Sequence, residues 1–239
     1  MKAKEHYDTH LGNFYSWMIG DKEPRIMEFR AFLLNNNITP DKNPMAIDLG
    51  AGNGIQTLAL AQCGFKVKAI DFNDQLINEL KIDSKGYDIS IVNDDIRNVR
   101  NYATDAGIII CCGDTLTHLE SKQEVQQLVA DIADTSGKEM KLIFSFRDYS
   151  VSLTDLNRFI PVKSDDKRIL TCVLDFHTEY VLVTDLLHEK TSHGWIQKVS
   201  SYKKLRIDPE EFVSILAKYE FKTILNLKVN GIVTIVAQR

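Results

Sequence analysis

The chain of 239 residues is 44% hydrophobic and 26% charged, with a formal net charge of −4. That length and apolar content suit one sizeable domain with a full core. A mildly acidic balance without any Lys/Arg-dense run argues against nucleic acid as a partner.

The amino terminus, MKAKEHYDTHLGNFYSW, carries charges where a signal peptide needs an apolar core, and the longest apolar runs fall far short of a membrane span. A cytoplasmic protein with no membrane partner is expected. Cys63, Cys111, Cys112 and Cys172 lack metal-type spacing. Cys111 and Cys112 sit inside the apolar run GIIICCG and read as buried reduced thiols, so no metal is expected.

In chain order, a helix is predicted to start near Pro24 and to run through RIMEFRAFLLNN, with Ile26, Phe29, Phe32 and Leu33 apolar. PMAIDLG is a short strand, followed by a helix from about Gly54 to Cys63 that stops at Gly64. Strand FKVKAIDF, helix NDQLINELKI, strand YDISIV, strand AGIIICC, a helix through KQEVQQLVADIAD and strand KLIFSF follow. Alternating helices and β-branched strands imply a parallel sheet covered on both faces.

After Arg147 the rhythm changes. RILTCVLDF, EYVLVTDLLHE and WIQKVSSYKKLRI follow one another without helices and suggest an antiparallel layer over about 169–207. The pair Lys203-Lys204 reads as a solvated strand face, and His177, His188 and His193 as surface or loop residues. DPEEFVSILAKY is a helix capped by Asp208, with Pro209 in its first turn and Glu211 completing a capping-box pattern. KTILNLKV and GIVTIVAQ, joined at Asn230-Gly231, form a closing hairpin.

The stretch IDLGAGNGI raises the question of a ligand. Glycines let backbone amides and a helix start approach a bound group closely. The dinucleotide pattern GxGxxG needs a glycine where this chain has Ile55, which disfavours a nicotinamide-dependent oxidoreductase. The second strand ends in Asp71, placed to accept two ribose hydroxyls. The third ends in NDDI, where Asp95 can receive an amino group while Ile96 packs on a ring. All three stretches converge at the carboxyl edge of one sheet.

AIDLGAGNG, AIDFN and NDDI, in this order, resemble the first three motifs of class I S-adenosylmethionine-dependent methyltransferases, over nearly the whole chain. The resemblance implies an α/β fold with a Rossmann-like, seven-stranded, mostly parallel sheet and helices on both faces. It also implies a single methyltransferase domain over 1–239, with a helical lid in 1–40 and a substrate-side antiparallel insertion in 150–207. S-adenosylmethionine would be the cofactor and S-adenosylhomocysteine its product. After Asp48, the turn Gly50, Ala51 and Gly52 would meet the methionine part, Asp71 with Phe72 the ribose, and Asp95 with Ile96 the adenine.

Three further stretches look like the glycine N-methyltransferase branch and related small-molecule methyltransferases. In YSWMIGDKEPR, Arg25 stands where that branch pairs an arginine with the cofactor carboxylate. Read alone, it is a first-turn surface arginine that the helix dipole disfavours. Tyr7 and Tyr15 fall near aromatic positions that close over the cofactor. In CCGDTLTHL, Cys111 would offer backbone to the cofactor's amino group and His118 matches the family's histidine. Asp114 replaces an asparagine there and could attract an amine acceptor; read alone, Asp114 or Thr115 is a helix N-cap, and the two roles can coexist.

In FSFRDYS, Arg147 stands where the branch binds an acceptor carboxylate, unless it forms an internal pair with Asp148; Tyr149 follows in the same pocket. Tyr202 and Arg206 are strand residues that would face the acceptor. His118, Arg147 and Tyr149 are thus the catalytic candidates, and Asp114 and Tyr202 join them as acceptor contacts. The function expected is methyl transfer to a small-molecule acceptor, an amine or an amino-acid-like compound. The alternative is a cofactor-binding sensor without transfer activity. The acidic balance, and the lack of an Asn-Pro-Pro-Tyr-type motif after the fourth strand, weigh against methylation of nucleic acid or protein.

Overall fold

Alternating apolar strands and amphipathic helices meet the covering requirement of a parallel sheet by placing helices on both of its faces. A computed structural model describes residues 3–40, 43–135, 137 and 139–239. The expected lid segment is therefore described from Ala3 onward, its first two residues lying outside the described set. It holds α1 (Ala3–Thr9) and α2 (Tyr15–Ile19), followed by α3 (Glu23–Asn35).

The alternating part contains β1 (Met45–Leu49), α4 (Ile55–Gln62), β2 (Lys66–Asp71), α5 (Asp74–Asp83), β3 (Ile89–Asn93), β4 (Ile108–Cys111), α6 (Lys122–Thr135) and β5 (Lys141–Arg147). Then come β6 (Phe159–Ser164), β7 (Arg168–Phe176), β8 (Tyr180–Thr191) and β9 (Gly194–Leu205). The chain closes with α7 (Pro209–Lys218), β10 (Lys222–Val229) and β11 (Ile232–Gln238).

The first sheet has seven strands in the order β10-β11-β5-β4-β1-β2-β3, with β11 antiparallel to both of its neighbours and the others parallel. This is the expected Rossmann-like arrangement. Side-chain alternation divides its core. Ile47 and Leu49 pack with α6 and α7 on one face, whereas Ala46 packs with Leu33 of α3 and Leu60 of α4 on the other. Among the described residues no helix is long and apolar enough to cross a membrane.

The second sheet is antiparallel with the order β6-β7-β8-β9. It contains one strand more than the three expected. β6 is an edge strand bearing Pro161, with a register shift between Pro161 and Lys163. A proline is tolerated on an edge but hides the strand pattern in sequence.

Local signals shaped the ends of elements as anticipated. Asn230 and Gly231 both take positive φ, 50° and 76°, which the two-residue hairpin between β10 and β11 requires. Asp208 caps α7 by accepting from the backbone N–H groups of Glu210 (2.9 Å) and Glu211 (3.0 Å). The Glu211 side chain does not complete the capping box; it pairs with Lys122 at 2.7 Å and so ties α7 to α6. Replacing Asp208 by Ala should cost about 1 kcal/mol of stability. It should appear as a lower urea midpoint with an unchanged slope.

Candidate functional site

The carboxyl edge of the first sheet opens into a cavity of ≈ 720 Å³, within the range of small-molecule sites. Its floor is the turn after β1. The N–H groups of Gly50 and Ala51 both donate to the Ile70 carbonyl, at 2.8 and 3.0 Å, which locks the turn to β2. Gly50 has φ +75°, and a Cβ there would lie 2.3 Å from the Thr115 side chain. The chain passes too close to the residues after β4 for any other residue to fit.

Beside this turn, Asp71 accepts from Gly52 N at 2.8 Å through one carboxylate oxygen and from Asn73 N at 2.8 Å through the other. Burial raises the Asp71 carboxyl, against the pull of those backbone bonds. Each oxygen accepts once here and keeps a lone pair for a ligand hydroxyl. Asp95, also on the cavity wall, is held by the Arg97 guanidinium through Nε (3.0 Å) and Nη2 (2.7 Å). Burial alone would raise the Asp95 carboxyl; the Arg97 fork outweighs it and keeps it below the usual carboxylate range.

The roof comes from the amino-terminal helices. Tyr7 and Tyr15 lie with ring centroids 6.1 Å apart, and Tyr7 sets its edge against Phe72 (6.0 Å) and His118 (5.5 Å). Arg25, in the first turn of α3, lines the cavity and is exposed. It forms no ion pair among the described residues, a placement the helix dipole penalises unless an anion joins it.

The cavity thus brings together Tyr7, Tyr15, Arg25, Gly50, Ala51, Gly52, Asp71, Phe72, Asp95, Ile96 and His118. Asp48, Cys111, Asp114, Tyr149 and Tyr202 do not line it, and neither does Arg147, which is exposed. Asp48 is buried and accepts from the Thr57 hydroxyl at 2.6 Å, joining β1 to α4 beneath the turn. Cys111 ends β4 fully buried, and its neighbours Cys112 and Gly113 reach the cavity instead.

The sequence reading of Asp114, Arg147 and Lys204 needs correction. Asp114 takes φ +77° and caps no helix with its side chain. Its carboxylate forms an ion pair with Lys204 and accepts from the Arg147 backbone N–H at 2.9 Å. Lys204 is therefore no solvated lysine: its side chain is 12% exposed, among Tyr149, Tyr202 and Tyr7. Burial opposes charge on both partners, but each holds the other ionised. The Asp114 carboxyl stays below and the Lys204 ammonium well above its ordinary range.

Arg147 is exposed, its guanidinium lying toward Gly231. Asp148 pairs with Lys228 at 2.6 Å, so the internal Arg147–Asp148 pair does not form. Arg206 faces a second, shallower crevice, where it donates to the carbonyls of Tyr149 (2.9 Å), His177 (2.8 Å) and Ser150 (2.9 Å).

His118 ends a 3-10 turn, Thr115–His118, with its ring stacked on Tyr202 at 5.8 Å. Burial, reinforced by the Lys204 charge, pushes its imidazole down to about 3, so it is neutral at pH 7. Its buried Nδ1 has no hydrogen-bond partner among the described residues. Beyond His118 the cavity opens to a rim of Glu120, Glu179, Tyr180 and Lys203 that sequence reading missed. The adjacent lysines carried an available signal, because neighbours in a strand point to opposite faces. Among the described residues no group of three or more His, Cys, Asp or Glu side chains is placed to hold a metal.

Residues 46–137 match a family described as a methyltransferase domain. Solved structures share the architecture across the whole chain. The CcbJ methyltransferase of Streptomyces caelestis superposes with a TM-score of 0.79 at 12% identity, covering 97% of each chain. An S-adenosylmethionine-dependent methyltransferase of Clostridium acetobutylicum gives 0.75 at 17% identity, covering 95% of this chain and 96% of that one. CalS10, an amino pentose methyltransferase of Micromonospora echinaspora, gives 0.75 at 13% identity, covering 92% of each. No curated protein matches in sequence. At these identities the likeness is one of fold. The chain thus shares its fold with S-adenosylmethionine-dependent methyltransferases, and residues 46–137 match the methyltransferase-domain family.

Two consequences are measurable in the protein alone. Removing the Asp114 carboxylate strands the buried Lys204 ammonium, so Asp114→Ala should cost about 3–5 kcal/mol. Adding Lys204→Met should recover more than half of that loss in urea unfolding. Asp48, raised by burial to about 7, has the opposite sign to a paired carboxylate. Its neutral form suits the fold, so that stability is present at low pH and is lost as pH rises through about 7. Asp48→Asn should flatten the decline in thermal stability that Asp48 contributes between about pH 4 and 7.

Proposed function

We propose that the protein transfers a methyl group from S-adenosylmethionine to a small-molecule acceptor bearing an amine. The observation that carries this reading is one continuous cavity. It joins the glycine turn and Asp71 to an open side ending at neutral His118. Arg25 supplies an unpaired cation for the cofactor's carboxylate, Asp71 two free lone pairs for ribose hydroxyls, and Ile96 an apolar face for adenine.

When bound, S-adenosylmethionine supplies a methyl group already activated by its sulfonium. The residues here have to align, exclude water and present the acceptor, and alignment alone is worth roughly 7–11 kcal/mol of barrier. Tyr7 and Tyr15 close the roof. His118, neutral beside the Lys204 ammonium, is too weak a base to store a proton at pH 7. It accepts a hydrogen bond from the acceptor's N–H and so aims the nitrogen lone pair. The Asp114 charge is spent on Lys204, so the amine is received neutral and its proton leaves to solvent after transfer. An amino pentose methyltransferase and a sugar N-methyltransferase among the similar folds support an amine-bearing acceptor. Arg147 and Tyr149 keep a supporting part, the Arg147 backbone by orienting Asp114 and the Tyr149 ring by packing beside Lys204. A cytoplasmic setting accords with this chemistry.

A radiolabelled methyl donor offered with amino acids and amino sugars should label an amine. Binding without transfer to any acceptor would instead favour a sensor. Asp71→Ala should weaken S-adenosylhomocysteine binding by about 10- to 100-fold in calorimetry, the cost of lost hydrogen bonds to a charged group. Unchanged affinity would refute the ribose assignment.

A further inference from the structure

Behind the lid lies a buried polar cluster that the proposed transfer does not use. Asp185 of β8 is 2% exposed and stands in register between Cys172 of β7 and Ser200 of β9. The Cys172 thiol donates to one carboxylate oxygen at 2.9 Å. The other faces His6, which α1 inserts into the second sheet with no exposed surface. His6 Nδ1 shares a hydrogen bond with Ser200 Oγ at 2.8 Å, while His6 Nε2 lies 3.3 Å from Asp185 Oδ2, within ion-pair distance but without hydrogen-bond geometry. The same imidazole stacks on Tyr202 at 3.9 Å, and Tyr202 stacks on His118 at 5.8 Å.

α1 has only seven residues, too few to hold a helix without tertiary contacts. Leu11 and Phe14 supply part of that contact by packing on Leu170 and Leu187 of the second sheet. Apolar contact is non-directional and does not fix register. The His6–Ser200 hydrogen bond is directional, and the buried Asp185 carboxylate, with only the Cys172 thiol as donor among the described residues, is costly unless a further polar group such as the His6 ring stands against it. His6 and Tyr7 are consecutive, about 100° apart around the helix. Seating the first on Asp185 therefore aims the second at the cavity.

We infer that His6 is a positioning residue. Its clasp on Asp185 and Ser200 fixes the closed register of the amino-terminal lid, sets Tyr7 over the cavity and braces His118 through Tyr202. The link to cofactor retention rests on the function proposed above; the clasp itself does not.

The test uses the full chain with His6→Ala, His6→Ala/Asp185→Asn and Ser200→Ala, followed by hydrogen exchange and S-adenosylhomocysteine release. Without ligand, His6→Ala should speed amide exchange across residues 3–19 by about tenfold or more, leaving the β1–β5 core protected. Release of S-adenosylhomocysteine should accelerate by a similar factor. Asp185→Asn added to His6→Ala should restore part of both, because an uncovered carboxylate no longer penalises closure. A role in general stability would instead lower the urea midpoint and raise exchange everywhere, with no rescue. Unchanged exchange in 3–19, or faster lid exchange with unaltered release, overturns the proposal. Should His6→Ala fail to fold, Ser200→Ala should shift both readouts in the same direction by less, and no shift there refutes the clasp. A wild-type chain that does not bind S-adenosylhomocysteine would refute the cofactor reading, while exchange in 3–19 still decides the clasp.

Discussion

The ion pair between Lys204 and Asp114 is the joint on which the site depends. It crosses from the last strand of the antiparallel sheet to the residues following β4, where both charges are largely shielded from water. A shielded pair is weak evidence for stability but demanding in geometry, since either partner alone is costly. The pair therefore fixes how the second sheet sits on the carboxyl edge of the first. It also sets the electrostatics beyond its own contact. Burial keeps His118 neutral and the ammonium reinforces it, while the carboxylate takes a backbone N–H from Arg147 at the end of β5.

The two halves of the cavity are built by different means. The half at the glycine turn relies on backbone: a turn locked to β2, and amides that orient the Asp71 carboxylate. The half at His118 relies on side chains from three separate parts of the chain, namely the amino-terminal helices, the turn ending at His118 and the antiparallel sheet. Parallel strands make the first arrangement almost automatic, because their loops emerge on one edge. The second exists only after the sheets have docked.

That division explains what the sequence disclosed. The glycine turn, the acids ending β2 and β3, the Asp208 cap and the Asn230-Gly231 hairpin are each encoded within a few residues, and all were legible. Pro161 concealed β6, because the pattern of an edge strand is weak. Lys204 meets an aspartate 90 positions earlier, and His6 meets a serine 194 positions later. No local pattern announces such partners, so Lys204 read as a surface residue and His6 went unremarked. Asp114 was singled out, but its partner was not: its side chain caps no helix and pairs with Lys204 instead.

The short turn from His177 to Tyr180 joins β7 to β8 and places Glu179 and Tyr180 on the outer rim of the cavity. Its ends are held from outside the turn's own sequence: Arg206 grips the His177 carbonyl, and the Arg206 N–H donates to Glu179 O. Arg206 thus holds the backbone that carries these two residues, and the Tyr180 ring adds its own stacking on His177 at 4.4 Å. Exchanging Glu179 and Tyr180 redraws the entrance while the glycine turn and Asp71, built on another sheet, stay as they are. The entrance and the floor of the cavity can consequently diversify on separate schedules, and on the function proposed above libraries confined to these two positions are an economical route to new acceptors.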